Sequence, residues 1–302
     1  MVPYLKDWIP IKDNESFRFY MEYNDPAVVY VNYQGTPCSL RVQTYNLGMF
    51  DSGQNWDTRS NLLASLIRQT NPDVIGLQGL GQDPYYGVGS IERKIMKVVD
   101  SISNSKPKGR NMLVELSELL PEYPYYSWQN CITHPSGVNE GIGFLSRFPL
   151  LNSSYSSQAC LSVVVHHPKN RVQLFTCKFC KQLSSQNAVE VLGAMDQLDD
   201  QSPQILMGDL SIKNSAQAAS HILEGKFIVP NLKGNLKDAW MSSNNEEPGP
   251  TFPSWNPQHR YDRIYYRNIA DPLACQISGY AQSKNHWAAK NCSVYADFLI
   301  NI

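Results

Sequence analysis

Long apolar runs are missing from this chain. Nothing in its 302 residues approaches the roughly 18 consecutive apolar residues that cross a bilayer, so no transmembrane helix is expected. An excess of charge is missing too, with 26 basic against 27 acidic side chains and a formal net charge of -1. The total therefore gives no support to generic polyanion binding, although it leaves a nucleic-acid ligand open. Cysteine is sparse and odd in number, seven in all, which excludes the dense disulfide framework of small secreted domains and favours reduced thiols. Cys177 and Cys180 form a C-x-x-C, but inside the apolar strand Val172–Phe179 and not at a helix start, so a structural role is expected. With no second C-x-x-C and no paired-histidine motif, no zinc site is expected. The first residues, Met1 to Trp8, lack a basic start followed by an apolar core. No signal peptide is expected there, and a cytoplasmic location is the corresponding expectation.

What is present is a strand-rich alternation with a few helical stretches. Residues 17–33 predict a hairpin: Phe17, Phe19, Met21 and Tyr23 alternate, Asn24-Asp25-Pro26 turns the chain, and Ala27–Tyr33 returns it. This N-terminal extension, residues 1–38, precedes the main domain of residues 39–302. It serves either as an edge cover for the main sheet or as an aromatic docking element for another protein. From Asp57, Leu62, Leu63, Leu66 and Ile67 form a helical face that Asn71-Pro72 stops. A buried strand follows and ends at Gln78, after which Gly79, Gly81, Gly87 and Gly89 mark a long loop. Helices are predicted at Ile91–Ser103, Asn111–Leu120, Ser185–Leu198 and Ser215–Leu223. Short strands are predicted at Tyr125–Ile132, Gly141–Leu145, Leu161–His166, Val172–Phe179, Ile205–Asp209, Arg263–Tyr266 and Tyr295–Ile300. The pattern fits an α/β fold, a four-layer α/β/β/α sandwich of two packed mixed sheets with helices outside.

Several segments carry more than fold. Leu40–Asn46 alternates and ends in asparagine; Asp73-Val74-Ile75-Gly76-Leu77-Gln78-Gly79 is a second buried run. Further on stand Glu140–Pro149, Pro203–Ser211 with Gly208-Asp209-Leu210-Ser211, Asp238-Ala239-Trp240, Thr251-Phe252-Pro253, Arg260-Tyr261-Asp262-Arg263-Ile264 and Asn285-His286-Trp287. In this order and spacing, from about Leu40 to the C-terminus, the chain resembles the endonuclease/exonuclease/phosphatase superfamily, deoxyribonuclease I-like proteins that hydrolyse phosphoric esters. The resemblance implies a magnesium ion held by a strand-end glutamate and a first-strand asparagine, a Gly-Asp-x-Asn segment that positions water, and an Asp-His pair on the phosphate.

Carried over residue by residue, the resemblance implies Asn46 as the asparagine, Asp209 as the water-positioning aspartate, and Asp262 orienting His286. Asp209, Asp262 and His286 are thus the catalytic candidates, active or vestigial, and Asn46 the metal candidate. Four positions depart from the pattern. Gly79 stands for the glutamate, Ser211 for the asparagine, Asn285 for the aspartate before the histidine, and Lys178 for a histidine, which leaves Lys178 and Ser211 as candidate phosphate contacts. Magnesium needs carboxylate oxygens, so a ligand set incomplete at Gly79 and Asn285 is expected to hold no cofactor. The lysine is expected to pair with Asp209 or Asp262 in the place of the metal. Asp83 is the better candidate to replace the missing carboxylate, and Asp51 the weaker. The expectation is a degenerate, non-catalytic binding or structural component with a protein partner. Its alternative is an active magnesium-dependent hydrolase of nucleic acid or a phospholipid headgroup with an atypical metal site.

Overall fold

The computed structural model describes residues 5–10, 16–21, 30–32, 39–50, 55–85, 109–157, 160–198, 201–211, 218–244, 247–281 and 286–300. The predicted helix at Ile91–Ser103, the turn at Asn24-Asp25-Pro26, Asp51 and Asn285 lie outside them. Two compact units make up the chain, Met1–Ser39 and Leu40–Ile302. In the first, β1 (Leu5–Pro10), β2 (Ser16–Met21) and β3 (Tyr30–Asn32) form an antiparallel sheet in the order β1-β2-β3. The β2–β3 pairing is the predicted hairpin, with Phe17 opposite Val31, and β1 is a strand the alternation did not reveal.

The second unit contains two sheets, with strands numbered along the chain. One runs β13 (Lys237–Asp238), β14 (Asp262–Arg267), β12 (Gln204–Asp209), β11 (Arg171–Lys178), β10 (Cys160–His166), β9 (Leu150–Ser157). The other runs β15 (Ala274–Ser278), β16 (Ser293–Leu299), β4 (Ser39–Asn46), β5 (Val74–Asp83), β8 (Asn139–Ser146), β7 (Tyr125–Thr133), with β6 (Arg110–Asn111) paired to the end of β5. Both are mixed: β4–β5 and β11–β12 are parallel, whereas β5–β8, β10–β11 and β12–β14 are antiparallel. Strands buried on both faces read as near-continuous apolar runs, and Val74–Leu77 and Ile205–Met207 do. Gln78 joins the sheets: its amide donates to Thr44 Oγ1 at 3.0 Å in β4 and to Thr176 Oγ1 at 2.8 Å in β11.

Helices cover the outer faces. α1 (Trp56–Thr70) is capped by the Asn55 side chain on Asp57 N and ends at Asn71 in the left-handed region, where the sequence stops it. With α2 (Met112–Leu119), it packs Leu63, Ile67, Leu113 and Leu116 over Ile75, Leu77 and Leu145 of one sheet. α3 (Ser184–Asp196) and α4 (Ala218–Leu223) pack Val191, Leu192 and Leu223 over Phe175 and Leu206 of the other. The layers are therefore helix, sheet, sheet, helix. A short α5 (Ala239–Ser243), capped by Asp238, follows β13. Strands β9 and β15 are additions to the sequence expectation; both are polar-rich edge or near-edge strands with weak alternation. No helix among the described residues is long and apolar enough to cross a membrane.

Candidate active site

Strand register builds the site. In β11–β12 Lys178 lies opposite Asp209, and in β12–β14 Asp209 lies opposite Asp262, so the three side chains form a row on one face at the sheet's end. From the other sheet, β4 delivers Asn46 to the same place. Its amide donates across to Asp209 Oδ2 at 2.6 Å, and its Oδ1 accepts from Gly48 N at 3.1 Å. The second oxygen of Asp209 accepts from the backbone N–H and the hydroxyl of Ser211, at 2.8 and 3.0 Å, with Ser211 held at a φ of 48°. Around these residues opens a cavity of about 910 Å³.

Gly79 is not a simple deletion of a side chain. It sits in a bulge of β5 against β8, at a φ of 62°, where non-glycine residues are strained. A Cβ there would come within 2.7 Å of Asn46 Oδ1 and 2.8 Å of Gly48 N, and the carbonyl of Gly79 is engaged by Met49 N at 2.7 Å. The space a strand-end glutamate would occupy is filled by the chain itself.

The histidine expectation is corrected. His286 is exposed and does not line the cavity, whereas the buried Asn291 does, donating to Asp262 Oδ2 at 2.8 Å. Thr251 Oγ1 donates to the same oxygen at 2.6 Å, and Asp262 Oδ1 is buried with no partner. Burial, then the neighbouring Asp209, pushes the Asp262 carboxyl well above the usual carboxylate range. The reason for the displacement is register: Asn291 stands two residues before β16, whose start is fixed by the buried Val294, Ala296 and Phe298. Residue type drew attention to His286; counting back from that strand finds Asn291.

The expected partner of Lys178 is also corrected. Its ammonium bonds Glu140 of β8, not Asp209 or Asp262, and Glu140 also meets His134 Nε2 at 3.1 Å. Burial would raise the Glu140 carboxyl, but Lys178 and then His134 outweigh it and hold it below its ordinary value. Glu140 lies opposite Gly81 on β8, so its side chain reaches the ammonium before the row of aspartates does. Asp83, expected on a loop, is the buried last residue of β5 and lines the cavity, where its Oδ1 accepts from Tyr85 N at 2.9 Å.

Lysines the sequence did not single out complete the lining. Lys181 and Lys290 join Lys178, so three lysines line the cavity together with the carboxylates of Asp83 and Asp209. The Lys181 ammonium lies 5.4 Å from the ring centroid of Tyr261, which stacks on Phe252 at 5.3 Å, and Lys290 lies 6.0 Å from that of Trp287. Among the described residues, neither pairs with a carboxylate, and no three His, Cys, Asp or Glu side chains gather as a metal-holding group.

With fold and site in place, comparison with known proteins gives a class. Residues 44–279 match the model of the Endonuclease/Exonuclease/phosphatase family, and the chain belongs to that family. Among solved structures it is similar to an endonuclease/exonuclease/phosphatase family protein from Leptotrichia buccalis, at a TM-score of 0.63 and 16% identity over 86% of this chain and 99% of that one. A humanized D. rerio TDP2 carrying 14 mutations matches at 0.60 and 15% identity, over 86% and 98% of the two chains. A family protein from Bacteroides thetaiotaomicron matches at 0.60 and 16%, over 89% and 100%. Comparison with curated proteins gives no match.

Proposed function

We propose that this protein is a non-catalytic member of its family, in which the former metal cavity binds the phosphate group of a ligand without a metal ion. One observation carries the reading: Asn46 and Asp209 are hydrogen-bonded to each other across the two sheets, behind a Gly79 whose side-chain space is closed. The donor set does not fit magnesium, a hard cation that requires several free oxygens at near-octahedral positions. Asn46 Oδ1 is committed to Gly48 N, and both oxygens of Asp209 are committed to Asn46 and Ser211. At Asp262, burial and then the neighbouring Asp209 push the carboxyl above the usual carboxylate range and so disfavour the charged form that a cation would need.

The cavity's polarity points the other way. Lys181 and Lys290 bring ammonium groups that no described carboxylate neutralises, and an anion between them is the natural complement. Tyr261 with Phe252 offers an aromatic wall to an organic moiety beside the phosphate.

The test has two arms. Bis-p-nitrophenyl phosphate and plasmid DNA are incubated with magnesium or manganese, and no turnover above that of an Asp209→Ala control is expected; turnover abolished by that substitution sinks the reading in favour of a hydrolase. Calorimetric titration is expected to give no stoichiometric magnesium heat, but saturable binding of a phosphomonoester that the Lys181→Met/Lys290→Met double variant weakens at least about tenfold.

A further inference from the structure

Of the three lysines that line the first cavity, Lys178 is the one that pairs with a carboxylate among the described residues. Its partner Glu140 is buried, with a side chain 12% exposed, and it spends each oxygen on a different nitrogen. Oε1 meets the Lys178 ammonium, and Oε2 meets His134 Nε2 at 3.1 Å. The three side chains arrive from three places. Glu140 stands on β8, Lys178 ends β11 in the other sheet, and His134 opens the turn from β7 to β8. That turn is pinned by His134 N donating to Val138 O and Gly137 N donating to His134 O, each at 2.8 Å. His134 lines the same cavity as Lys178 and is the one histidine among its lining residues.

With the imidazole neutral, Lys178 and Glu140 cancel; with it protonated, the three groups carry a net positive charge on the cavity wall. Imidazole is the side chain that ordinarily changes charge between roughly pH 5 and 8. The His134 side chain is 37% exposed, so solvent protons reach it, and Glu140 is already in place as the counter-charge. A carboxylate shared between two cations neutralises each of them less than it neutralises one, which leaves the Lys178 ammonium more available to an anion. The other titratable groups nearby are few. Cys131 of β7 is pushed up to about 11 by burial, then by Glu140, and so stays a neutral thiol in this range. Asp83 at the end of β5 and Asp209 at the end of β12 line the cavity, and Asp262, raised by burial and then by Asp209, neighbours Asp209 on β14.

We propose that His134 couples proton uptake to anion binding in the first cavity, so that a phosphate-bearing ligand is held more tightly as pH falls, with Glu140 shared between the imidazolium and the Lys178 ammonium. The coupling rests on the reading of that cavity as a metal-free phosphate site and adds its regulation. It is reciprocal by linkage: a bound anion favours the protonated ring to the same extent that the protonated ring favours the anion.

Inorganic sulfate is the probe, because it stays a dianion throughout, whereas a phosphomonoester changes its own charge at about pH 6. The full chain is titrated calorimetrically at about pH 5.5, 6.5 and 8 and constant ionic strength, in buffers of different ionisation enthalpy. Sulfate is expected to bind at least about fivefold more tightly at the lowest pH than at the highest, with net proton uptake at the middle one. His134→Gln, a change on a surface turn, is expected to keep the affinity seen at the highest pH within about twofold and to lose the pH dependence. His134→Asn makes the same comparison if His134→Gln does not fold, and Asp262→Asn is expected to retain the dependence. The Lys181→Met/Lys290→Met chain, which reads the phosphate site itself, is expected to bind sulfate more weakly at every pH. A parent affinity that does not change with pH, a dependence that survives removal of His134, or one that vanishes in Asp262→Asn overturns the coupling and leaves the phosphate site standing. A parent that binds no sulfate at any of the three pH values overturns both.

Discussion

At Gly79, backbone and side chain act together. A glutamate placed there by substitution meets a left-handed backbone and a Cβ 2.7 Å from Asn46 Oδ1. Gly79→Glu is expected to destabilise the protein by about 2–4 kcal/mol, from backbone strain plus overpacking, and to gain no magnesium binding. Urea unfolding and calorimetry of the variant check both halves; a stable Gly79→Glu that binds magnesium would mean the bulge relaxes. Asp262 acts through its proton. Its folded pKa is raised, so the folded state keeps a proton that the unfolded state has lost, and stability falls as pH rises above the ordinary carboxylate value. Asp262→Asn removes that burden with nearly the same shape. It is therefore expected to be more stable than the parent at pH 7, with the advantage vanishing near pH 3.5, as measured by denaturant midpoints at the two pH values.

Among the elements, α1 does more than cover a sheet. Its Arg59 is fully buried and donates to Leu47 O at 2.7 Å, to Ala288 O at 3.0 Å and to Met49 O, binding the turn after β4 to the segment before β16. Desolvation lowers this guanidinium to about 10, still protonated at neutral pH. Gly48 and Met49 line one side of the first cavity, and Lys290 and Asn291 another, so a single helical side chain fixes two of its walls. Arg59→Met leaves three carbonyls without this donor and is expected to cost about 3 kcal/mol or more. The turn at Leu47–Phe50 should also become the first site of proteolysis, which limited digestion followed by mass spectrometry reads directly. Loss of stability without new cleavage would separate the core role of Arg59 from its role in shaping the cavity.

For the whole molecule, the apolar clusters under α1 and α2 and under α3 and α4 lie within Leu40–Ile302, as do buried side chains outside those clusters such as Val42, Phe144, Leu174 and Phe298. Residues 40–302 alone are accordingly expected to unfold cooperatively with native near-ultraviolet dichroism; failure to fold would assign the N-terminal sheet to the core's support. Most of the buried strands, the apolar face of α1 and the family were legible in the sequence because they rest on local alternation and on short motifs such as Asn46 and Asp209 at strand ends. Even so, Asn291 was passed over for His286, because a motif names residue types while hydrogen-bond register before β16 names positions. The partner of Lys178 was equally hidden, since Glu140 is 38 residues away in sequence and arrives through a different sheet. By itself the sequence determined which residue types stand at the motif positions, a glycine at 79 and an aspartate at 209 among them, as that is a matter of composition. Only the tertiary structure decided that a side chain at Gly79 would meet Asn46 and Gly48, that Lys181 and Lys290 line the cavity without carboxylate partners among the described residues, and that two arginines share Asp238. Each of these depends on which side chains two packed sheets and their loops bring within a few ångströms, and distance along the chain carries no trace of that.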